Sequence, residues 1–158
     1  MKRFLCAMVV VIALVFSVGA QGSPGGAPVG DGVFVGRIKL DVGIARLAEI
    51  ARLDDAATLL ELSADSSFIL FGTLSRPSIE SDQPFWAISE FLEGEWIGTS
   101  EIRLHRVFLL FVGEAYREFL DGSAGMRALA IVKDATLRAN KDGTKDVYLS
   151  VVSIRPFF

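Results

Sequence analysis

Cysteine is almost absent from this 158-residue chain, with Cys6 the only one. A lone cysteine excludes an intrachain disulfide framework and a cysteine-built zinc cluster. Histidine is as scarce: His105 stands alone, so a His-rich metal site is excluded and any His-dependent triad would hang on one residue. An excess of basic charge is missing too. Sixteen Lys and Arg face 19 Asp and Glu, a net charge of −3, which argues against a general nucleic-acid binder. The 15 Gly and 5 Pro follow no low-complexity period. No serine sits in a GxSxG elbow. After the first twenty residues no run reaches the roughly 18 apolar residues of a membrane-crossing helix. What is present is a chain 51% hydrophobic and 22% charged. That is enough apolar matter for one packed domain and too much for a disordered segment.

The N-terminus has three parts. Met1, Lys2 and Arg3 are a short basic start, Phe4 to Phe16 is an unbroken apolar run, and Ser17-Val18-Gly19-Ala20 follows. This pattern predicts a secretory signal peptide over residues 1–20, cut between Ala20 and Gln21, with Val18 and Ala20 at the positions the peptidase reads. The rival is an uncleaved membrane tether, but the run is short of the roughly 20 residues a spanning helix needs. Cys6 lies inside the run rather than at the cut, which argues against lipidation. Cleavage removes two basic residues and no acid, leaving 14 against 19 and a net charge of −5, with no cysteine. Residues 21–31, QGSPGGAPVGD, are Gly- and Pro-rich and predict a flexible tether.

Residues 32–158 are read as one globular domain. Val33 to Val42 alternates, with Phe34, Ile38, Leu40 and Val42 on one side, and predicts a half-buried strand. From Gly43 to Asp55 the period changes to helical: Ile44, Leu47, Ala48 and Ala51 form a stripe, with Asp41 as a possible cap. Phe68 to Leu74 predicts a buried strand, with Gly72 marking a bulge or a close approach. Ile79 to Pro84 reads as a loop. Phe85 to Ile97 carries four aromatic residues among acids, with a hairpin turn at Glu93-Gly94-Glu95. Ile102 to Val112 runs from a wet rim into a buried centre. Glu114 to Leu120 predicts a short helix stopped by Gly122. Met126 to Ala139 is a strand long enough to bend, Asn140-Lys141-Asp142-Gly143 a hairpin turn, and Val147 to Ile154 the last strand.

From Phe68 onward this order is three strands, a short helix, a strand, a hairpin and a strand. It resembles the OB-fold, a five-stranded Greek-key barrel with its helix between the third and fourth strands. The resemblance covers about residues 66–156 and rests on order alone. It implies an α+β, mostly β fold: a small OB-like barrel with an N-terminal strand-helix addition, the alternative being another small sheet with one helix-covered face. With the signal peptide, the chain resembles an exported bacterial domain of that kind.

An OB-fold binds ligands on its second and third strands and adjoining loops. Phe85, Trp86, Phe91 and Trp96 fall there, so these four are the candidate ligand-binding residues. Other constellations are weaker. His105 between Arg103 and Arg106 is a candidate general base, and Glu93 and Glu95, two apart on a strand, have glycosidase-like spacing. Asn140, Asp142, Thr144 and Asp146 alternate like calcium ligands, but the Asp-Gly hairpin turn explains them more simply. The terminal Phe157-Phe158 resembles the end of a membrane barrel, for which the strands are too few.

The expectation is therefore a non-catalytic binding or interaction module, exported to the periplasm or outside the cell. Its partner would be an unknown protein or small ligand of the envelope, without cofactor, metal or nucleic acid and without a transmembrane segment after cleavage. The alternatives are a small hydrolase using His105 or Glu93/Glu95, and an envelope structural or membrane-associated protein.

Overall fold

A computed structural model describes Gly30 and residues 37–157. The expected signal peptide and its cut at Ala20–Gln21, nearly all of the tether, and the first half of the first expected strand lie outside the described residues. In chain order the elements are β1 (Arg37–Lys39), α1 (Ile44–Arg52), α2 (Ala56–Ser63), β2 (Ser66–Leu74), β3 (Ser78–Asp82), β4 (Phe85–Ile97), β5 (Glu101–Val112), α3 (Ala115–Leu120), β6 (Arg127–Ala139) and β7 (Lys145–Pro156).

The sheet order is β1-β2-β6-β7-β5-β4-β3, and β2 also pairs with β4, so β2, β4, β5, β7 and β6 close a ring. Every ring contact is antiparallel except β5 with β7, which is parallel at Phe108–Tyr148, Leu109–Leu149 and Leu110–Ser150. Five strands in this order, with a helix after the third, are the OB-fold barrel. β3 folds back on β4 as a hairpin where a loop was expected. The N-terminal addition is a strand and two helices. Thr58–Leu62, read only as a short apolar stretch, belongs to α2.

Alternation along each ring strand sends one side of residues into the barrel. Phe68, Leu70, Leu74, Phe91, Val107, Leu109, Phe111, Val132, Leu149 and Ile154 are fully buried there. Burying each such side chain is worth about 1.5–3 kcal/mol, so this lining is the main source of stability. β6 serves two neighbours by bending: its register with β7 shifts between Lys133 and Thr136, and Asp134 adopts φ 53°. Ring closure is tight at Gly72, where a Cβ would come within 2.8 Å of the Leu92 carbonyl oxygen. The expected close approach is therefore the seam between β2 and β4.

Helices cover the two mouths. α1 turns Ile44, Leu47, Ile50 and Ala51 inward, and Ile44 reaches the Gly72–Phe91 contact. At the opposite end α3 packs the Tyr116 ring edge-on against Phe111 at 5.4 Å, and the Tyr116 hydroxyl donates to the Val151 and Val152 carbonyls at 3.1 Å. The first expected strand departs from its reading. Among its described residues Arg37–Lys39 pair, and Ile38 and Leu40 of its apolar side are exposed while Val42 is buried. Three pairs on one edge of β2 leave most of that side without a surface to pack on.

Candidate ligand-binding face

β4 and β5 are the second and third strands of the barrel. They pair without interruption from Trp86–Val112 to Ile97–Glu101. The expected turn at Glu93-Gly94-Glu95 is absent: the strand runs through it, and the chain turns at Gly98, whose φ is 66°. Beyond the barrel wall the two strands continue as a two-stranded hairpin.

Strand parity separates the four aromatic candidates. Phe85 and Phe91 point into the barrel and are 2% and 0% exposed, so they are core residues. Trp86 and Trp96 are ten residues apart and share the outer face, about 33 Å from each other at roughly 3.3 Å per residue. Trp86 is half-buried, while Trp96 is 66% exposed. Among the described residues neither tryptophan stacks on another ring or on a cation.

Trp96 stands opposite Ile102, and Gly94 opposite Leu104. Ile102 and Leu104 are 51% and 69% exposed. A Cβ on Gly94 would lie 3.3 Å from the Ile102 side chain, so the glycine lets Ile102 settle over the strand. Three large apolar side chains thus sit side by side in water, an arrangement that marks interaction surfaces.

Nearer the barrel the same face carries a layered stack. Phe108 and Tyr148 stack at 4.7 Å and 10°, Arg138 lies 4.5 Å from the Tyr148 ring centroid, and Arg106 lies 5.5 Å from that of Phe108. Arg106 donates to both Asp146 carboxylate oxygens at 3.2 and 3.1 Å and to Glu90 at 3.4 Å. The Asp146 hydrogen bond holds the guanidinium still more firmly protonated, against a smaller opposing effect of burial. Asp146 in turn accepts from Asn140 at 2.7 Å, which ties the β6–β7 turn to β5. The alternating oxygens of that turn are spent on one another: Asp142 accepts from the Thr144 amide at 3.0 Å and from its hydroxyl. No group of three or more possible metal-ligating side chains occurs among the described residues.

The acid-base candidates have other partners. Glu93 accepts from the Ala45 amide of α1 at 3.3 Å. Its neighbour by spacing, Glu95, bonds His105 Nε2 at 2.8 Å on the other face of the hairpin. The two carboxylates are thus each engaged by a different partner. Phe157 packs edge-on against Phe71 at 5.5 Å, with Arg127 over its ring, and its amide donates to the Arg127 carbonyl. The last strand is thus locked to β6 and β2, while Phe158 lies outside the described residues. No helix among the described residues is long and apolar enough to cross a membrane.

No protein-family model and no curated protein matches the chain. Solved structures do. The single-stranded DNA-binding protein of Plasmodium falciparum, solved in complex with single-stranded DNA, is 10% identical with a TM-score of 0.45, over 58% of this chain and 94% of its own. A small single-stranded DNA-binding protein from Streptomyces coelicolor is 6% identical with a TM-score of 0.42, over 56% and 90%. The mitochondrial single-stranded DNA-binding protein Rim1 of S. cerevisiae is 15% identical with a TM-score of 0.40, over 56% and 91%. The expectation of an envelope binding module, with its hydrolase and membrane alternatives and its exclusion of nucleic acid, is corrected against these neighbours. Net charge is a whole-chain sum, whereas a strand of nucleic acid meets only a local surface, so it does not decide the question by itself. At these identities the likeness is one of fold, and the chain is similar to single-stranded DNA-binding proteins in its barrel.

Proposed function

We propose that the chain is a non-catalytic OB-fold module that holds single-stranded nucleic acid along the outer face of β4 and β5. The observation that carries this reading is the exposed Trp96, with exposed Ile102 and Leu104 on the same face of the strands an OB-fold uses for ligands. An indole 66% exposed offers a base a stacking platform, worth about 1–3 kcal/mol per base and indifferent to sequence. Trp86 provides a second aromatic contact further along the face, within the roughly 4–16 nucleotides an OB-fold covers. Arg138 and Arg106 add guanidinium groups between the two. The reading takes in removal of residues 1–20, so that the mature chain starts at Gln21; N-terminal sequencing checks this, and a product that keeps Met1 overturns that part.

The test is a fluorescence titration of the full chain with oligothymidylate. Binding is expected to quench tryptophan emission, and Trp96→Ala to weaken affinity about 5- to 100-fold, the range set by one lost stacking contact. Absence of binding by the unmodified chain, or equal binding by a folded Trp96→Ala variant, would sink the reading.

A further inference from the structure

The other face of the β4–β5 hairpin, α1 and the β6–β7 turn enclose an open cleft of 1070 Å³. Its volume lies at the upper end of small-ligand sites, about 300–1,000 Å³. Ala45 and Ala48 of α1 leave its floor shallow and apolar, and Leu104 adds to one wall. The carboxylates around it are all engaged. Glu49 pairs with Arg46, Asp54 with Lys145, Glu95 with His105, and Asp146 with Arg106. Every carboxylate lining the cleft is thus occupied by a neighbour. Arg52 and Arg103 also line it, and among the described residues neither has an ion pair.

We propose that this cleft binds a phosphate monoester carried on a flat organic body, of the size of a mononucleotide. A phosphate monoester carries about −1.5 to −2 charges at neutral pH, and the two guanidiniums without an ion pair are the cations left to meet it. Guanidinium groups grip phosphate through paired N–H donors, a geometry lysine lacks. The alanine floor gives the flat body an apolar seat. The same chemistry is offered by a free nucleotide and by the phosphorylated end of a strand. The proposal does not rest on the outer-face reading: Trp96 does not line the cleft, and Arg52 and Arg103 are not part of the outer-face contact, although Leu104 and Arg106 border both surfaces.

The experiment is isothermal titration of the full chain with thymidine 5′-monophosphate and with thymidine. The monophosphate is expected to bind at least about tenfold more tightly, the equivalent of one charge-assisted contact. The double variant Arg52→Gln, Arg103→Gln should abolish the difference, and Trp96→Ala should leave it intact. Equal binding of the two compounds, absence of binding by either, or a double variant that still discriminates, overturns the proposal. Both arginines are exposed, so the double variant is expected to keep its fold, and a single arginine-to-lysine change at Arg103 gives an intermediate loss if the grip is bidentate. A second arm compares oligothymidylate with and without a 5′ phosphate. A preference for the phosphorylated strand that the double variant loses assigns the site to strand ends; no preference, with monophosphate binding retained, assigns it to free nucleotides.

Discussion

Glu93 shows how one side chain can be misread from spacing. Two residues from Glu95 on a strand, it has the separation of a catalytic acid pair. Its carboxylate instead serves the start of α1, whose N-cap Gly43 has no side chain and whose first turn holds no acid. A helix N-terminus without its own cap exposes amide donors and a partial positive charge, and Glu93 meets both from β4 through the Ala45 amide. Glu93→Ala is therefore expected to cost about 1 kcal/mol, or about 3–5 °C in Tm, by thermal denaturation. An unchanged Tm would mean that solvent caps the helix equally well. The aromatic candidates were separable by counting alone: Phe85 and Phe91 are odd-numbered and buried, Trp86 and Trp96 even-numbered and outward. The supposed turn at Glu93-Gly94-Glu95 hid that arithmetic, because it broke the strand before Trp96.

Elements with a strong internal period were legible, and those defined by a distant neighbour were not. α1, β2, β5, β6 and β7 follow their hydrophobic patterns to within two residues at most ends. β3 is polar, SIESD, and exists because β4 offers it an edge. α2 has its signal in Asp55, whose carboxylate caps the helix by accepting from the Thr58 amide at 3.0 Å and from its hydroxyl. The hydroxyl bond first, then the amide bond, hold the Asp55 carboxyl below its ordinary pKa of 3.8. A depressed folded-state pKa gives stability that is present above the unfolded value and lost as pH falls through the folded one. Asp55→Ala should therefore lower Tm at pH 7, and the difference should shrink once pH drops below 3.8 and vanish under more acid conditions. A difference that persists unchanged in acid would show that the loss is one of packing rather than of a charged cap. The cleft, too, was illegible along the chain. Arg52, Arg103 and Lys145 come from three elements that only the closed barrel brings together.

At the scale of the whole molecule, an acidic chain with an apolar outer face sets what the proposed strand binding must look like. Each phosphate neutralised on a single strand steepens the dependence of log K on log salt by about 0.7. With a net charge of −3 and Arg106 already engaged by Asp146 and Glu90, few phosphates find a free cation on this face. The expected slope for oligothymidylate is shallower than about −2, equivalent to fewer than about three phosphates, measured by repeating the titration at several salt concentrations. A slope of −4 or steeper would mean that charge, not stacking, dominates the contact.

The seam at Gly72 has a consequence for how the molecule comes together. β4 with β5 and β6 with β7 join neighbours in sequence, whereas β2 meets β4 only at Thr73–Leu92 and Leu74–Phe91, extended by the Ser75 amide to the Glu90 carbonyl. Contacts between sequence neighbours cost little chain entropy, so the two hairpins are the early, local events of folding. Of the other ring contacts the β2–β4 seam, Thr73–Leu92 and Leu74–Phe91, closes the shortest stretch of chain, whereas β5–β7 (Phe108–Tyr148) and β2–β6 (Phe68–Val132) close much longer ones and are the later lines to form. Because α1 rests on the β2–β4 seam through Ile44, the helix has its seat only where those two strands have met, and the cleft beside it is complete only once β7 has joined β5 and brought the β6–β7 turn alongside.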